Sequence, residues 1–236
     1  MKLPKTLQTF WEIPFQERTN YYISEDLVKG YPIVDTKEPL VDVEVFFATK
    51  KFSIAYMPPD DIEGLITTVR LRETVTHMLF DAAKKLPDGF IFALSEGYRP
   101  LWYQRKNFEE IYAGLKQKMP SATEKELYDE TTTYIADPNL CPPHSTGGAM
   151  DITILDEKRN ALDMGAPMNT VGEISNTFTE GLSKKAQENR QLLFDILTSV
   201  RFVNLASEWW HYSYGDQYWA IFNQKDAALY DKIDVE

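Results

Sequence analysis

Apolar and polar residues follow one another along this chain in short blocks, and two periods can be read from them. Blocks at 43–48 (V-E-V-F-F-A), 90–95 (F-I-F-A-L-S) and 149–155 (A-M-D-I-T-I-L) are β-branched or aromatic and predict strands. Residues 201–205 and 208–214 predict two more, paired antiparallel. Helical spacing governs 62–86, which follows the turn Met57-Pro-Pro-Asp-Asp and carries the stripe Val75, Met78, Leu79, Ala82 and Leu86. It returns at 101–117, and at 183–200 with Ala186, Leu193, Ile196, Leu197 and Val200 inward. Another helix, to about Ala136, opens on Ser121-Ala-Thr-Glu124 as a capping box. A loop at 140–148 leads into the third strand, an irregular stretch at 160–180 is placed to cover a site, and the chain beyond Tyr214 reads as a loose acidic tail. Strands and helices do not alternate regularly, which predicts an α+β fold with an antiparallel sheet and flanking helices.

No repeat or linker divides the 236 residues, so a single domain over 1–236 is expected. The composition, 43% hydrophobic and 26% charged, is that of a soluble globular protein rather than a disordered or fibrous one. A formal net charge of −11 argues against a nucleic-acid partner, because phosphate backbones are held by lysine and arginine. The N-terminus lacks the apolar run of a signal peptide and no later stretch is long enough to cross a membrane. The single cysteine, Cys141, forms no intrachain disulfide, and a cytoplasmic protein is expected.

Two of only three histidines sit in compact motifs, H144-S-T-G-G-A-M-D151 and E208-W-W-H211. Zn²⁺ accepts imidazole nitrogen and carboxylate oxygen, and a hydrolytic site uses three protein ligands with a fourth position left to water. His144, Asp151 and His211 supply that count, and Glu208 remains as the carboxylate that takes a proton from the water. Cys141 is set aside as a ligand because the set is already full and Pro142 and Pro143 stiffen the turn between it and His144. His77 falls between stripe positions of its helix and reads as structural or exposed.

The spacings place demands on the backbone. Seven residues on a regular strand span roughly 23 Å, so the chain must fold back between His144 and Asp151, and Gly147 and Gly148 permit the positive φ this needs. Glu208 and His211 oppose each other on a regular strand, so a bend or bulge near 207–209 is required. Arg99, in the run Gly97-Tyr98-Arg99-Pro100 at a strand end, reads either as a surface salt bridge or as a cation for the charge that develops on a carbonyl oxygen.

Together these motifs resemble the D-alanyl-D-alanine dipeptidases of the vancomycin-resistance type, part of a wider group of zinc D,D-peptidases that shares its fold with the hedgehog signalling domain. The resemblance runs from about Val43 to Tyr214. The pattern S-x-H-x-x-G-x-A-x-D is met from Pro142 to Asp151, E-x-x-H by E208-W-W-H211, and the arginine of G-Y-R-P by Arg99. It implies one zinc per chain on His144, Asp151 and His211, with Glu208 as general base and then proton donor, Arg99 stabilising the tetrahedral intermediate, and a small peptide as substrate. Two departures bear on that substrate. Pro142 replaces a serine, and Asn169, in the run Met164-Gly-Ala-Pro-Met-Asn169, stands where the family has an aspartate that holds the substrate's amino group. The alternatives are a peptidoglycan carboxypeptidase or endopeptidase of the same zinc group, and a non-catalytic binding domain stabilised by zinc.

Overall fold

The structure, a computed structural model, describes residues 2–59 and 66–234. Its elements are α1 (Leu7–Trp11), α2 (Glu25–Val28), β1 (Leu40–Asp42), α3 (Val43–Thr49), β2 (Ala55–Tyr56), β3 (Arg70–Arg72), α4 (Glu73–Ala83), β4 (Ile91–Glu96), α5 (Leu101–Lys118), α6 (Glu124–Thr131), β5 (Ala149–Leu155), α7 (Lys184–Thr198), β6 (Val203–Asn204), β7 (His211–Ser213) and α8 (Gln217–Phe222). The fold is α+β, as the pattern predicts. A five-stranded sheet runs in the order β2-β4-β5-β7-β6, antiparallel except for the short edge strand β2, which lies parallel to β4. Strands β1 and β3 form a separate antiparallel pair.

Alternation along the central strands divides the labour between the two faces of the sheet. Phe92 and Leu94 of β4 and Met150, Ile152 and Ile154 of β5 join one apolar cluster with Val75, Met78, Leu79 and Ala82 of α4 and Leu193, Ile196 and Leu197 of α7. The helical stripes read from the sequence are therefore the core-facing ones. The other face of β5 presents Asp151 and Thr153, both buried.

Four local expectations are corrected. Residues 43–48 are helical, because Asp42 caps the segment, its Oδ1 accepting from Val45 N at 2.9 Å, and Val43 and Phe47 share the buried face one turn apart. The helix expected over 62–86 begins only at Glu73, after β3; residues 62–65, and Asp60 and Asp61 of the preceding turn, lie outside the described residues. The capping box of α6 is Thr123 with Glu126, not Ser121 with Glu124, since T-E-K-E satisfies the same rule two residues on and the helix stops at Thr131. Beyond Tyr214 there is no loose tail as far as Tyr230: α8 is capped by Asp216, every one of its residues is buried, and Ala228 pairs with Ile33. Its sequence Tyr218-Trp-Ala-Ile-Phe222 is apolar enough to complete the core despite acidic neighbours.

The irregular stretch at 160–180 is held from below by buried Arg190 on α7, which donates to the carbonyls of Met164, Ile174 and Asn176 at 2.7–2.8 Å. Arg190→Met keeps the aliphatic stem but leaves three carbonyls without this donor. It is expected to cost about 3 kcal/mol in urea unfolding, in line with the loss of a buried hydrogen-bond network; an unchanged midpoint would show the loop to be held by other contacts.

Candidate metal centre

Three strands place one row of side chains across the sheet. Asp151 on β5 is directly opposite His211 on β7 and, on its other side, opposite Glu96 on β4. Glu96 would face the core with Leu94 were β4 regular. The register slips between Leu94 and Glu96, and this bulge at Ser95 turns Glu96 to the face occupied by Asp151 and His211.

His144 reaches the row from a tight 3-10 turn, His144–Thr146, that ends on Gly147 at φ +74°. The sequence expected both glycines to take positive φ, and only Gly147 does so. Gly148 is needed for a different reason: a Cβ there would come within 2.5 Å of the Tyr214 carbonyl oxygen, and Tyr214 N in turn donates to Gly148 O at 3.0 Å. The turn brings His144 Nε2 to 3.4 Å from Asp151 Oδ1, while His211 Nδ1 lies 3.1 Å from the same oxygen. One donor atom from each of the three lies within 4.8 Å of the others, and all three residues are buried.

Two imidazole nitrogens and one carboxylate oxygen at this separation fit a zinc ion with an open position. His144 Nδ1 is 2.9 Å from the Gly97 carbonyl, so this nitrogen carries a hydrogen; the Asp151 carboxylate outweighs burial and raises the imidazole, so Nε2 offers its lone pair to a cation on release of its own proton. Burial would raise the Asp151 carboxyl, but the two histidines more than offset this and hold it far below the usual carboxylate range.

Glu208 sits in the connection between β6 and β7 rather than on a strand. Its N–H donates to Leu205 O at 2.9 Å and its carbonyl accepts from His211 N at 3.3 Å, so the backbone turns at Glu208 and β7 starts at His211. The required bend is therefore a full turn, and the strand expected at 208–214 is shorter. This carries Glu208 Oε2 to 3.9 Å from His211 Nδ1 with 35% of the side chain still open to the cleft. Desolvation, against His211, and then the Asp151 charge raise its carboxyl above the ordinary value. A carboxylate so placed is a stronger base than a free one.

Arg99 is not a surface salt bridge. Its Nε and Nη2 donate to the two oxygens of Glu96, the first at 2.6 Å, and Nη1 donates to Gln104 Oε1 at 2.8 Å. Burial would weaken the guanidinium's hold on its proton, but Glu96 outweighs it and raises the value. Glu96 and Gln104 were not singled out from the sequence, although Glu96-Gly-Tyr-Arg99 places an acid three residues before the arginine.

These groups line one cavity of about 700 Å³ that includes Arg99, His144, Asp151, Glu208, His211 and the exposed Asn169. Asn169 has φ +62°, a left-handed conformation that asparagine tolerates. Pro142 and Cys141 are on the wall; the Cys141 thiol, facing Asp231, is pushed up to about 12 by burial first, and it does not join the cluster of His144, Asp151 and His211. His77 is exposed and stacks edge-on against Phe46 at 4.7 Å, in keeping with a structural or exposed residue.

A family model described as D-ala-D-ala dipeptidase matches residues 37–230. The chain is 32% identical over 178 residues to the D-alanyl-D-alanine dipeptidase of Escherichia coli (strain K12), covering 75% of this chain and 85% of that protein. It is also 32% identical over 228 residues to the D-alanyl-D-alanine dipeptidase of Synechocystis sp. (strain ATCC 27184 / PCC 6803 / Kazusa), covering 82% and 89%. Among solved structures, VanYB in complex with D-alanine-D-alanine aligns over 81% of this chain and 91% of that one, at 19% identity and a TM-score of 0.41.

Glu96→Gln leaves the partly buried Arg99 charge without its buried partner. It is expected to lower stability by about 3 kcal/mol, the usual cost of breaking a buried ion pair from one side. Thermal or urea unfolding of the variant measures it, and a loss below about 1 kcal/mol would mean that water already screens the pair.

Proposed function

The chain belongs to the D-Ala-D-Ala dipeptidase family of peptidases, and from that premise we propose that it hydrolyses D-alanyl-D-alanine or a closely related short dipeptide. It does so as one domain, with one zinc ion held by His144, Asp151 and His211. The observation that carries the reading is the convergence of these three donors, a raised carboxylate at Glu208 and a fixed guanidinium at Arg99 on one cavity. When bound, the zinc supplies Lewis acidity, polarising the peptide carbonyl and lowering the pKa of water.

The remaining steps fall to the chain's own side chains. Glu208 accepts a proton from the attacking water and then passes it to the departing amine, so that one carboxyl serves as base and acid in turn. Arg99 points its charge at the carbonyl oxygen as negative charge grows there; because Glu96 and Gln104 hold the guanidinium in place, little reorganisation is needed at that moment. His144 is kept in one tautomer by the Gly97 carbonyl throughout.

Among the described residues no helix is long and apolar enough to cross a membrane. A cytoplasmic place of action goes with the lone cysteine and is part of the same proposal. A merely zinc-stabilised binding domain has no use for a desolvated carboxylate beside an open metal position, and Glu208 weighs against it.

Glu208→Gln is expected to retain about one equivalent of zinc after dialysis yet lose about 100-fold or more in kcat on D-Ala-D-Ala, read by metal analysis beside steady-state kinetics. Full activity would remove Glu208 from the mechanism, and loss of the metal would make it a ligand instead. Asn169→Asp restores a charge at the cavity edge. It is expected to lower KM for free dipeptides by about fivefold, equivalent to ~1 kcal/mol for a charge-assisted bond, and an unchanged KM would place the amine elsewhere.

A further inference from the structure

The cavity that holds the metal donors continues well past them. Its volume, about 700 Å³, lies in the range of ~300–1,000 Å³ that accommodates drug-sized ligands, whereas two alanines joined by a peptide bond are far smaller. The far wall is made by Tyr22, Glu25 and Asp26 from the segment around α2, and by Tyr128, Ile135 and Leu140 in and after α6. Residues 2–36, which include α2, precede the part of the chain that the family model matches.

Chemistry as well as size distinguishes this far half. Glu25 is partly buried, and among the described residues no cation comes within ion-pair range of it; Lys29 acts on it only weakly and Asp26 and Asp137 repel a negative charge there. One backbone N–H, from Asp137, holds the ionised form, and burial still drives the carboxyl up to about 7. Such a group is short of a positive partner. The Tyr22 phenol ties the two halves together: after burial, Glu25 and then Glu208 raise its pKa, so it lies within electrostatic reach of both the far carboxylate and the proton-transfer carboxylate. The position at which the proposed function places the substrate's amino group, meanwhile, carries neutral Asn169, which lines the same cavity.

We propose that the far half of the cleft is a second subsite, in which Glu25, flanked by Tyr22 and Tyr128, receives an aliphatic ammonium group of a substrate larger than D-Ala-D-Ala. The ammonium can come from a basic side chain on a dipeptide or from the free amine of a third residue. An ammonium ligand supplies the charge that Glu25 lacks, and the two phenol rings pack against the methylenes that carry it. The inference rests on the dipeptidase reading but makes a separate demand on residues 22–25.

The test compares D-Lys-D-Ala with D-norleucyl-D-Ala, which has a similar length and no charge, and D-Ala-D-Ala-D-Ala with its N-acetyl form. The wild-type enzyme is expected to favour the ammonium member of at least one pair in kcat/KM by about fivefold or more, a typical gain for a charge-assisted bond in a partly buried site; the pair concerned identifies the source of the ammonium. Glu25→Gln is expected to bring that ratio close to one. Calorimetric binding of the same peptides to the Glu208→Gln protein reads the preference without turnover, so that failure of D-Ala-D-Ala hydrolysis counts against the dipeptidase reading and leaves the subsite measurable. Equal affinity for charged and neutral members, or a ratio untouched by Glu25→Gln, overturns the proposal.

Discussion

The whole site depends on strand register. Asp151 must stand opposite His211 on one side and Glu96 on the other, because a slip of a single residue in an antiparallel pair would turn a donor into the apolar cluster behind the sheet. Met150, Ile152 and Tyr212 pin that register by filling the core from the opposite face. Packing and chemistry are thus set by the same alternation, and the bulge at Ser95 is the one place where the alternation is broken so that a third strand can contribute.

The electrostatics follow from this placement. Glu96, Asp151 and Glu208 gather on one side of the sheet with Arg99 as the nearby permanent cation, and Glu96 already engages its guanidinium through both oxygens. Asp151 is left to the two imidazoles. The surplus of negative charge in a buried row is what a divalent cation would neutralise; Glu208, whose side chain remains partly open, is shifted toward holding a proton by desolvation first and by the Asp151 charge second.

Much of this was legible in the sequence, and for definite reasons. The donors are short-range pairs inside motifs, and glycine and aromatic residues around them restrict the backbone strongly enough to foresee a reversal before Asp151 and a bend before His211. The stripes on α4 and α7 were legible because their period is that of a helix with one buried face. What escaped notice depends on partners distant in sequence. V-E-V-F-F-A fits a strand until Asp42 is seen to cap it; Tyr218-Trp-Ala-Ile-Phe222 looks like part of an acidic tail until the core receives it. Nothing local announces the bulge at Ser95, which exists to bring Glu96 beside a strand more than fifty residues away. The role of Gly148 was similarly hidden, since the obstacle to a side chain there is the carbonyl of Tyr214.

Two hydrogen bonds between the histidine turn and the Gly97–Arg99 segment have a mechanical meaning. His144 donates from its ring to the Gly97 carbonyl, and the Arg99 amide donates to the His144 carbonyl at 3.2 Å. The first candidate metal donor and the arginine are thereby clasped to each other across more than forty residues of chain, so that a shift of one is passed to the other. The reactive geometry has fewer independent parts than its residues suggest. A substitution that tilts the histidine turn would misaim the guanidinium as well, and drift at this site would show as simultaneous failure of metal affinity and of charge stabilisation rather than as a graded loss of either.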